Sequence, residues 1–425
     1  MKRIAIVNGV RTPFIKAWDA FDAISAQQLG ALCVTELLQR TKLEGRSVDE
    51  IVMGCVGQPA EAANVARVIS LLAGLPQDKK AYTVNRNCAS SFEAITSATE
   101  KIRCGIDEIV IAGGTESMSN MPMLFKKETA TLFLKLSKAK TFGEKLSVLA
   151  RLRPHHFSPI PSLGLGLTDP VCGLNMGQTA EALAKDFATS REEQDRFALE
   201  SHRRATAARE KLRDETMDVS VLVKPRTCVR DDNGIRENQT YEALAKLKPL
   251  FEKGTVTAGN ASQITDGACA ILLMSEEKAK SLGHEVLGIL RDYVSVGLEP
   301  ARMGLGPVFA IETILGRNSM TLKDIDLFEI NEAFASQVLA CLRALACPQF
   351  AKKHFSSNRP VGEIPREILN VNGGAIALGH PVGTSGARLV LTCLKEMKRR
   401  NLRRGLVSAC VGGGQGTALI LERPS

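Results

Sequence analysis

Aromatic residues are scarce in this chain of 425 residues: 4% of the total, with a single tryptophan and three tyrosines. Basic stretches without interleaved rings make a poor platform for stacking bases, so nucleic acid is set aside as a partner. Histidine is sparse too, at six residues, which narrows the search for a general base. The eleven cysteines include no C-x-x-C pair, which excludes a zinc ribbon and a thioredoxin-type motif. No apolar run approaches the ~18 residues needed to span a bilayer. The segment Met1 to Val7 carries Lys2 and Arg3, but its apolar run breaks at Asn8-Gly9. It therefore reads as a first strand rather than a secretory signal. An odd number of dispersed cysteines without such a signal predicts free thiols in a reducing compartment, most of them packed as small hydrophobes.

Material for large cores is plentiful, with 44% hydrophobic and 24% charged residues. At roughly 150 residues per domain, the length predicts two or three domains. The formal charge of +9 is unevenly placed: residues 126–153 hold eight cations against two acids, and residues 395–404 hold six against one. The remainder is nearly neutral. Two basic patches on a neutral protein favour an anionic cofactor or an anionic membrane surface.

Strand-like and helix-like segments alternate, which predicts an α/β protein. Strands are expected at 4–7, 51–54, 81–85 and 108–112, and helices at 26–39, 62–72 and 90–103. The end of the chain follows the same plan. A strand-like stretch at 368–372 precedes a helix over 387–400 that opens at Gly383-Thr384-Ser385-Gly386, and a strand at 406–410 runs into Gly412-Gly413-Gly414. Either a degenerate duplication or two ordinary strand–helix–strand units gives this pattern. Residues 120–251 differ in texture, with a Pro/Gly-rich patch, a basic amphipathic stretch and a long polar helix expected over 179–212. They read as an insertion carried by the first half.

Cys88 lies where a strand ends, small residues turn and a helix begins, with Ser90-x-x-Glu93 as an expected capping box. A thiol just before a helix N-terminus meets unpaired N–H groups and the positive dipole end, which favours thiolate. The same amides suit a developing oxyanion. A buried structural cysteine is the alternative. His380, between Gly379 and Pro381 in a glycine-rich turn, is the candidate general base, and a water-exposed turn histidine is its alternative. Cys410 ends a strand. Asn331 follows one, at the carboxyl edge where α/β sheets gather ligands, unless it is simply a helix N-cap. His155-His156 has no cysteine or carboxylate at ligand spacing, so no metal site is expected there.

These residues sit in motifs that occur in a telling order. They are Val10-Arg11-Thr12-Pro13-Phe14, Asn87-Cys88-Ala89-Ser90-Ser91, Gly113-Gly114-Thr115-Glu116-Ser117-Met118-Ser119, Thr257-Ala258-Gly259-Asn260-Ala261-Ser262, Asn331-Glu332-Ala333-Phe334, Gly373-Gly374-Ala375-Ile376-Ala377-Leu378-Gly379-His380-Pro381 and Cys410-Val411-Gly412-Gly413-Gly414. Together they make the chain resemble the thiolase family over essentially its whole length. The resemblance implies an α/β duplicated thiolase fold, a five-layered αβαβα sandwich with an inserted loop domain. The N-terminal half would comprise 1–119 and 252–283, the inserted loop domain with its basic amphipathic hairpin 120–251, and the C-terminal half 284–425. It implies roles as well. Cys88 would be the nucleophile that carries the acyl group as a thioester, His380 its activating base, and Cys410 the acid–base group at the α-carbon of acetyl-CoA. One oxyanion site would combine His380 with a water held by Asn331; the other would use the N–H groups of Cys88 and Gly412. Ser262 would contact the pantetheine arm and Arg236 the nucleotide end of coenzyme A, which is a substrate here. No metal and no tightly bound cofactor is implied.

The implied activity is cleavage of 3-ketoacyl-CoA by coenzyme A in fatty-acid β-oxidation. Biosynthetic condensation of two acetyl-CoA is the alternative within the family. A ketoacyl synthase would want a second histidine or a glutamate where Cys410 stands, and a non-catalytic acyl-CoA or lipid carrier is disfavoured by the retained Cys88, His380 and Cys410. Leu132, Leu136 and Ala139, then Phe142, Leu146 and Leu149, fall at i, i+4, i+7 and predict the basic helical hairpin. With the extra stretch at 347–366 it resembles the thiolase subunit of the fatty-acid-oxidation trifunctional complex, although that group carries histidine at the position of Asn331. Asn175-Met176-Gly177 also lacks the histidine that short-chain thiolases place before Met-Gly. The expected partners are acyl-CoA thioesters, further copies of the chain as a homodimer or tetramer, a hydratase/dehydrogenase subunit and a peripheral membrane contact. The expected location is cytoplasmic, peripheral on the inner membrane, with the mitochondrial matrix as the alternative.

Overall fold

The computed structural model describes residues 2–221, 226–355 and 357–424. Two half-sheets dominate it. The first runs in the order Lys80–Val84, Glu50–Gly54, Ile109–Glu116, Thr265–Ser275 and Ile4–Arg11; the second runs Gly288–Gly297, Gln415–Glu422, Arg404–Val411 and Leu327–Ile330. They join edge to edge where Ile4 pairs with Leu290 and Ile6 with Gly288. The internal plan repeats. Ile109–Glu116 is parallel to Glu50–Gly54 and antiparallel to Thr265–Ser275. In the same way, Arg404–Val411 is parallel to Leu327–Ile330 and antiparallel to Gln415–Glu422. Of the two explanations for the repeated pattern, duplication is the one the pairing supports.

Helices cover both faces of each half-sheet, so central strands such as Ile109–Glu116 are buried along their whole length and read as continuous apolar or small-residue runs. Strand alternation sorts these side chains between layers. Ile51 and Met53 face outward onto Leu29 and Leu37 of the Ala26–Thr41 helix and Ile69 of Val65–Leu72. Val52, between them, faces inward onto Phe92 and Ile95 of Ser90–Arg103 and Leu389 of Ser385–Arg400. In the second half Val407 points to that same central layer, while Leu406 meets Val308 of Gly306–Arg317 and Val338 of Ala335–Ala346. The order is helices, sheet, helices, sheet, helices: five layers, as expected.

Local differences have local causes. Residues 368–372 make a single bridge, Leu369 with Phe328, after the 3-10 turn Arg366–Ile368. Asn370 adopts a left-handed φ of 47°, which ends extended backbone. Its side-chain amide takes over the ladder, accepting from Ile330 N at 2.8 Å and donating to Ile330 O at 2.9 Å. The long helix expected over 179–212 is three helices, Met176–Asp186, Arg191–Ala207 and Arg209–Arg213. Ala188 turns left-handed, and Ser190 with Glu193 forms a capping box that starts the second helix. Glu193 is thus a cap rather than an interior helix former. The basic stretch folds as the helices Lys127–Lys138 and Phe142–Leu149, with Leu134, Phe142, Leu146 and Leu149 exposed. No helix among the described residues is long and apolar enough to cross a membrane.

Candidate active site

The Cys88 turn follows the edge strand Lys80–Val84 and precedes the Ser90–Arg103 helix. Asn87 takes a left-handed φ of 45° and donates through Nδ2 to Gly412 O at 2.8 Å, which ties this turn to the glycine turn after Cys410. The expected Ser90–Glu93 capping box does not form. Ala89 is the N-cap residue and no side chain caps the helix. Ser90 Oγ instead donates to Asn87 O and accepts from Arg86 N, and Glu93 binds Arg86 Nε. The polar side chains are used to shape the turn, and the first helical amides stay uncapped beside the sulfur.

The Cys88 thiol is half-buried. Burial pushes its pKa up, against the pull of the Gly412 N–H and its own N–H. Burial wins, which corrects the expectation that the helix terminus alone would favour thiolate. A thiol of this kind needs a base.

His380 supplies one. It follows the one-turn helix Ala375–Leu378 and Gly379, whose φ of 108° and contact with the Thr265 side chain leave no room for a Cβ. The ring is buried, which excludes the exposed turn histidine. Its Nδ1 lies 2.6 Å from Ser385 Oγ, and that hydroxyl donates to Pro381 O at 3.1 Å. Ser385 therefore accepts from Nδ1–H, and Nε2 keeps its lone pair, facing Asn331 Nδ2 at 3.4 Å. Burial and then the Arg388 cation lower the ring's pKa to about 4. It is a neutral base at neutral pH.

Asn331 is fixed by its own N–H, which donates to Ser408 O at 2.9 Å, and its side chain is fully buried. It is not a helix cap, because Phe334 takes that position before Ala335–Ala346. Cys410 is buried near the end of Arg404–Val411. Burial holds its thiol protonated, and Cys88 lies close enough that its charge adds to the effect. Cys88, Cys410 and Gly412 thus lie together, and His380 faces Asn331. Ser262 stands beside them, its N–H donating to Ala333 O at 2.9 Å. Arg236 does not join the cluster. It is exposed on a loop where its N–H donates to His202 Nδ1.

Two buried carboxylates were missed by sequence reasoning, although both lie inside the quoted motifs. Glu332 accepts from Ser201 Oγ at 2.6 Å, Asn370 Nδ2 at 2.8 Å and Ile376 N at 3.3 Å, clamping the Asn331 loop to the glycine loop before His380. Glu116 accepts from Gly57 N and Gly383 N, each at 2.8 Å, and Val56 N at 3.1 Å. An acid inside a glycine-rich or small-residue run was the available signal. A third difference concerns His155-His156. Glu128, distant in sequence, approaches His155 Nε2 to 3.8 Å, so a carboxylate does stand near the pair. However, His156 Nδ1 accepts the Arg153 N–H at 2.8 Å. That fixes the tautomer with N–H on Nε2, the wrong face for a ligand.

A buried neutral imidazole facing an amide side chain, a thiol under two backbone amides and a second buried thiol near it suit acyl transfer through a thioester. The comparisons agree with acyl transfer. The family description "Thiolase, N-terminal domain" matches residues 4–277, and "Thiolase, C-terminal domain" matches 284–423. A 3-ketoacyl-CoA thiolase of Pseudoalteromonas translucida is 43% identical over 99% of this chain and 97% of its own. One of Pectobacterium atrosepticum is 41% identical over 99% and 96%. Among solved structures, Bacillus anthracis acetyl-CoA acetyltransferase aligns with a TM-score of 0.86 at 36% identity, covering 99% of each chain. Human mitochondrial 3-ketoacyl-CoA thiolase in complex with CoA aligns at 0.85 and 34%, covering 100% of this chain and 98% of that one. With both family domains matched in order across these two half-sheets, the chain belongs to the thiolase family.

Proposed function

We infer that this protein transfers acyl groups between 3-ketoacyl-CoA and coenzyme A, releasing acetyl-CoA and a shortened acyl-CoA in fatty-acid β-oxidation. The observation that carries the reading is the Cys88 sulfur under the Gly412 and Cys88 N–H groups, with a neutral His380 held between Ser385 and Asn331. Cys88 gives its proton to His380 Nε2 and its sulfur adds to the 3-keto carbon. The C2–C3 bond breaks, the electron pair leaves as the enolate of acetyl-CoA, and Cys410 protonates it. Coenzyme A then passes its thiol proton to Cys410 and its sulfur displaces Cys88, which recovers its proton from His380. Protons and electrons balance, and the enzyme returns to its starting state. The oxyanion donors act where charge develops, which is where such groups contribute most. Coenzyme A is a substrate, with Ser262 along the pantetheine arm and Arg236 toward the nucleotide end.

The inserted loop domain is assigned to 120–251. Its support is that it leaves and re-enters the sheet between Ile109–Glu116 and Thr265–Ser275, which pair directly. Its hairpin, with exposed apolar residues and a cationic surplus, is assigned to an anionic membrane surface in the cytoplasm. Thiolysis of acetoacetyl-CoA, and of longer 3-ketoacyl-CoA thioesters, is the direct test of the activity. A protein that binds these thioesters without consuming them would instead be a carrier.

A further inference from the structure

Arg388 and Glu329 form an ion pair that the chemistry above does not use. Both are buried, at 0% and 1% exposure, and they meet through one contact, Arg388 Nη1 to Glu329 Oε2 at 3.2 Å. Glu329 Oε1 and Arg388 Nε and Nη2 have no further hydrogen-bond partner among the described residues. The other deeply buried arginine differs. Arg11 is gripped by both oxygens of Asp232, by Glu215 and by the Thr12 carbonyl. A guanidinium satisfied in that way holds segments together. A buried pair with one contact recovers little of what its desolvation costs, so stability is a weak reason for its presence.

Its place in the fold supplies a better one. Glu329 lies on Leu327–Ile330, two residues before Asn331, and Arg388 lies one turn after Ser385 on Ser385–Arg400. Asn331 faces Nε2 of His380 and Ser385 holds Nδ1. The pair therefore joins the two elements that grip opposite sides of one imidazole. Resting on the reading of Cys88 and His380 as the catalytic couple, we propose that Arg388–Glu329 is a positioning pair: it sets the spacing of Asn331 and Ser385 across the His380 ring. Burial pushes the Glu329 pKa up to about 8 against the pull of Arg388, with Glu332, Glu215 and Glu396 adding to the rise, and the Arg388 charge disfavours a second positive charge on His380.

Removing the Arg388 charge lets His380 protonate more readily, so the acid limb of the activity profile moves to higher pH. Removing Glu329 does not move it upward. The test uses the full-length protein as Arg388→Met, Arg388→Lys and Glu329→Gln. Competent sites are counted by iodoacetamide alkylation of Cys88, and acetoacetyl-CoA thiolysis is then followed per site across pH. A folding defect lowers the site count, whereas mispositioning lowers turnover per site. Arg388→Met and Glu329→Gln should lose about tenfold in kcat per site, with KM within about twofold, the scale of a modest misplacement. The acid limb of Arg388→Met should rise by about half a pH unit or more, while Arg388→Lys keeps the original limb. Turnover per site within twofold of the parent in Glu329→Gln would overturn the proposal, and so would an unmoved limb in Arg388→Met. If Arg388→Met does not fold, the turnover per site of Glu329→Gln decides. Unimpaired thiolysis after full alkylation of Cys88 is a different outcome, because it removes the catalytic reading itself.

Discussion

At the scale of single residues, burial sets the chemistry. Cys88 and Cys410 are held as thiols, while the His380 pKa is lowered to about 4, so proton transfer among them needs no charged group at rest. The two thiols should separate on mutation. Cys410→Ala should lose about 10²-fold or more in exchange of the acetyl-CoA α-proton, the usual scale for an acid–base group, while Cys88 still accepts an acyl group from an activated acyl-CoA. Normal α-proton exchange in that variant would assign the base elsewhere. Histidine burial also has a stability consequence. His380 and His202 both have pKa values lowered to about 4, each chiefly by burial, from about 6.5 in the unfolded chain. The unfolded state therefore binds more protons between those values. Stability is complete above pH ~6.5 and falls as pH drops toward 4, by on the order of 3 kcal/mol per histidine. Thermal unfolding across that window checks this, and His202→Gln should flatten the decline.

At the scale of elements, the sequence was read best where a motif and a turn coincide. The Ser90–Arg103 helix, the Cys88 turn and the strand before Gly412 were all legible, because glycine, small residues and apolar runs mark them locally. Asn370 shows why the rest was not. A side-chain amide replaces a strand's ladder, and that substitution depends on a partner forty residues away. Asn370→Ala removes both hydrogen bonds to Ile330 and the one to Glu332. Leaving buried backbone groups unpaired should cost about 2–3 kcal/mol, readable as a lower denaturation midpoint at unchanged m-value. The hairpin is a second element with its own test. Its cations predict salt-sensitive binding to anionic liposomes, at about 1 kcal/mol per Lys or Arg near the surface. Replacing Lys126, Lys127, Lys135 and Lys138 by Gln should release the protein while leaving thiolysis of soluble substrates unchanged. Sedimentation indifferent to lipid charge would favour docking to a partner subunit instead.

At the scale of the whole molecule, duplication supplies the proposed catalytic groups from both halves. Cys88 comes from the turn after Lys80–Val84; in the second half Asn331 follows Leu327–Ile330, Cys410 lies near the end of Arg404–Val411, and His380 follows the short helix Ala375–Leu378. The buried Glu332 ties the Asn331 turn to the loop before His380, and Glu116 ties the turn after His380 to residues 56–57. That long-range bonding was invisible in the sequence, since an acid between small residues does not announce its partners. The proposed mechanism requires that one sulfur carry the acyl group between two coenzyme A thioesters. Intact-mass analysis with peptide mapping after brief exposure to acetoacetyl-CoA, followed by a chase with free coenzyme A, tests this. The expected result is one acetyl group on Cys88, removed by the chase and absent in Cys88→Ala. Acyl loading that persists at the parent level in Cys88→Ala, or thiolysis that continues in that variant, would contradict it.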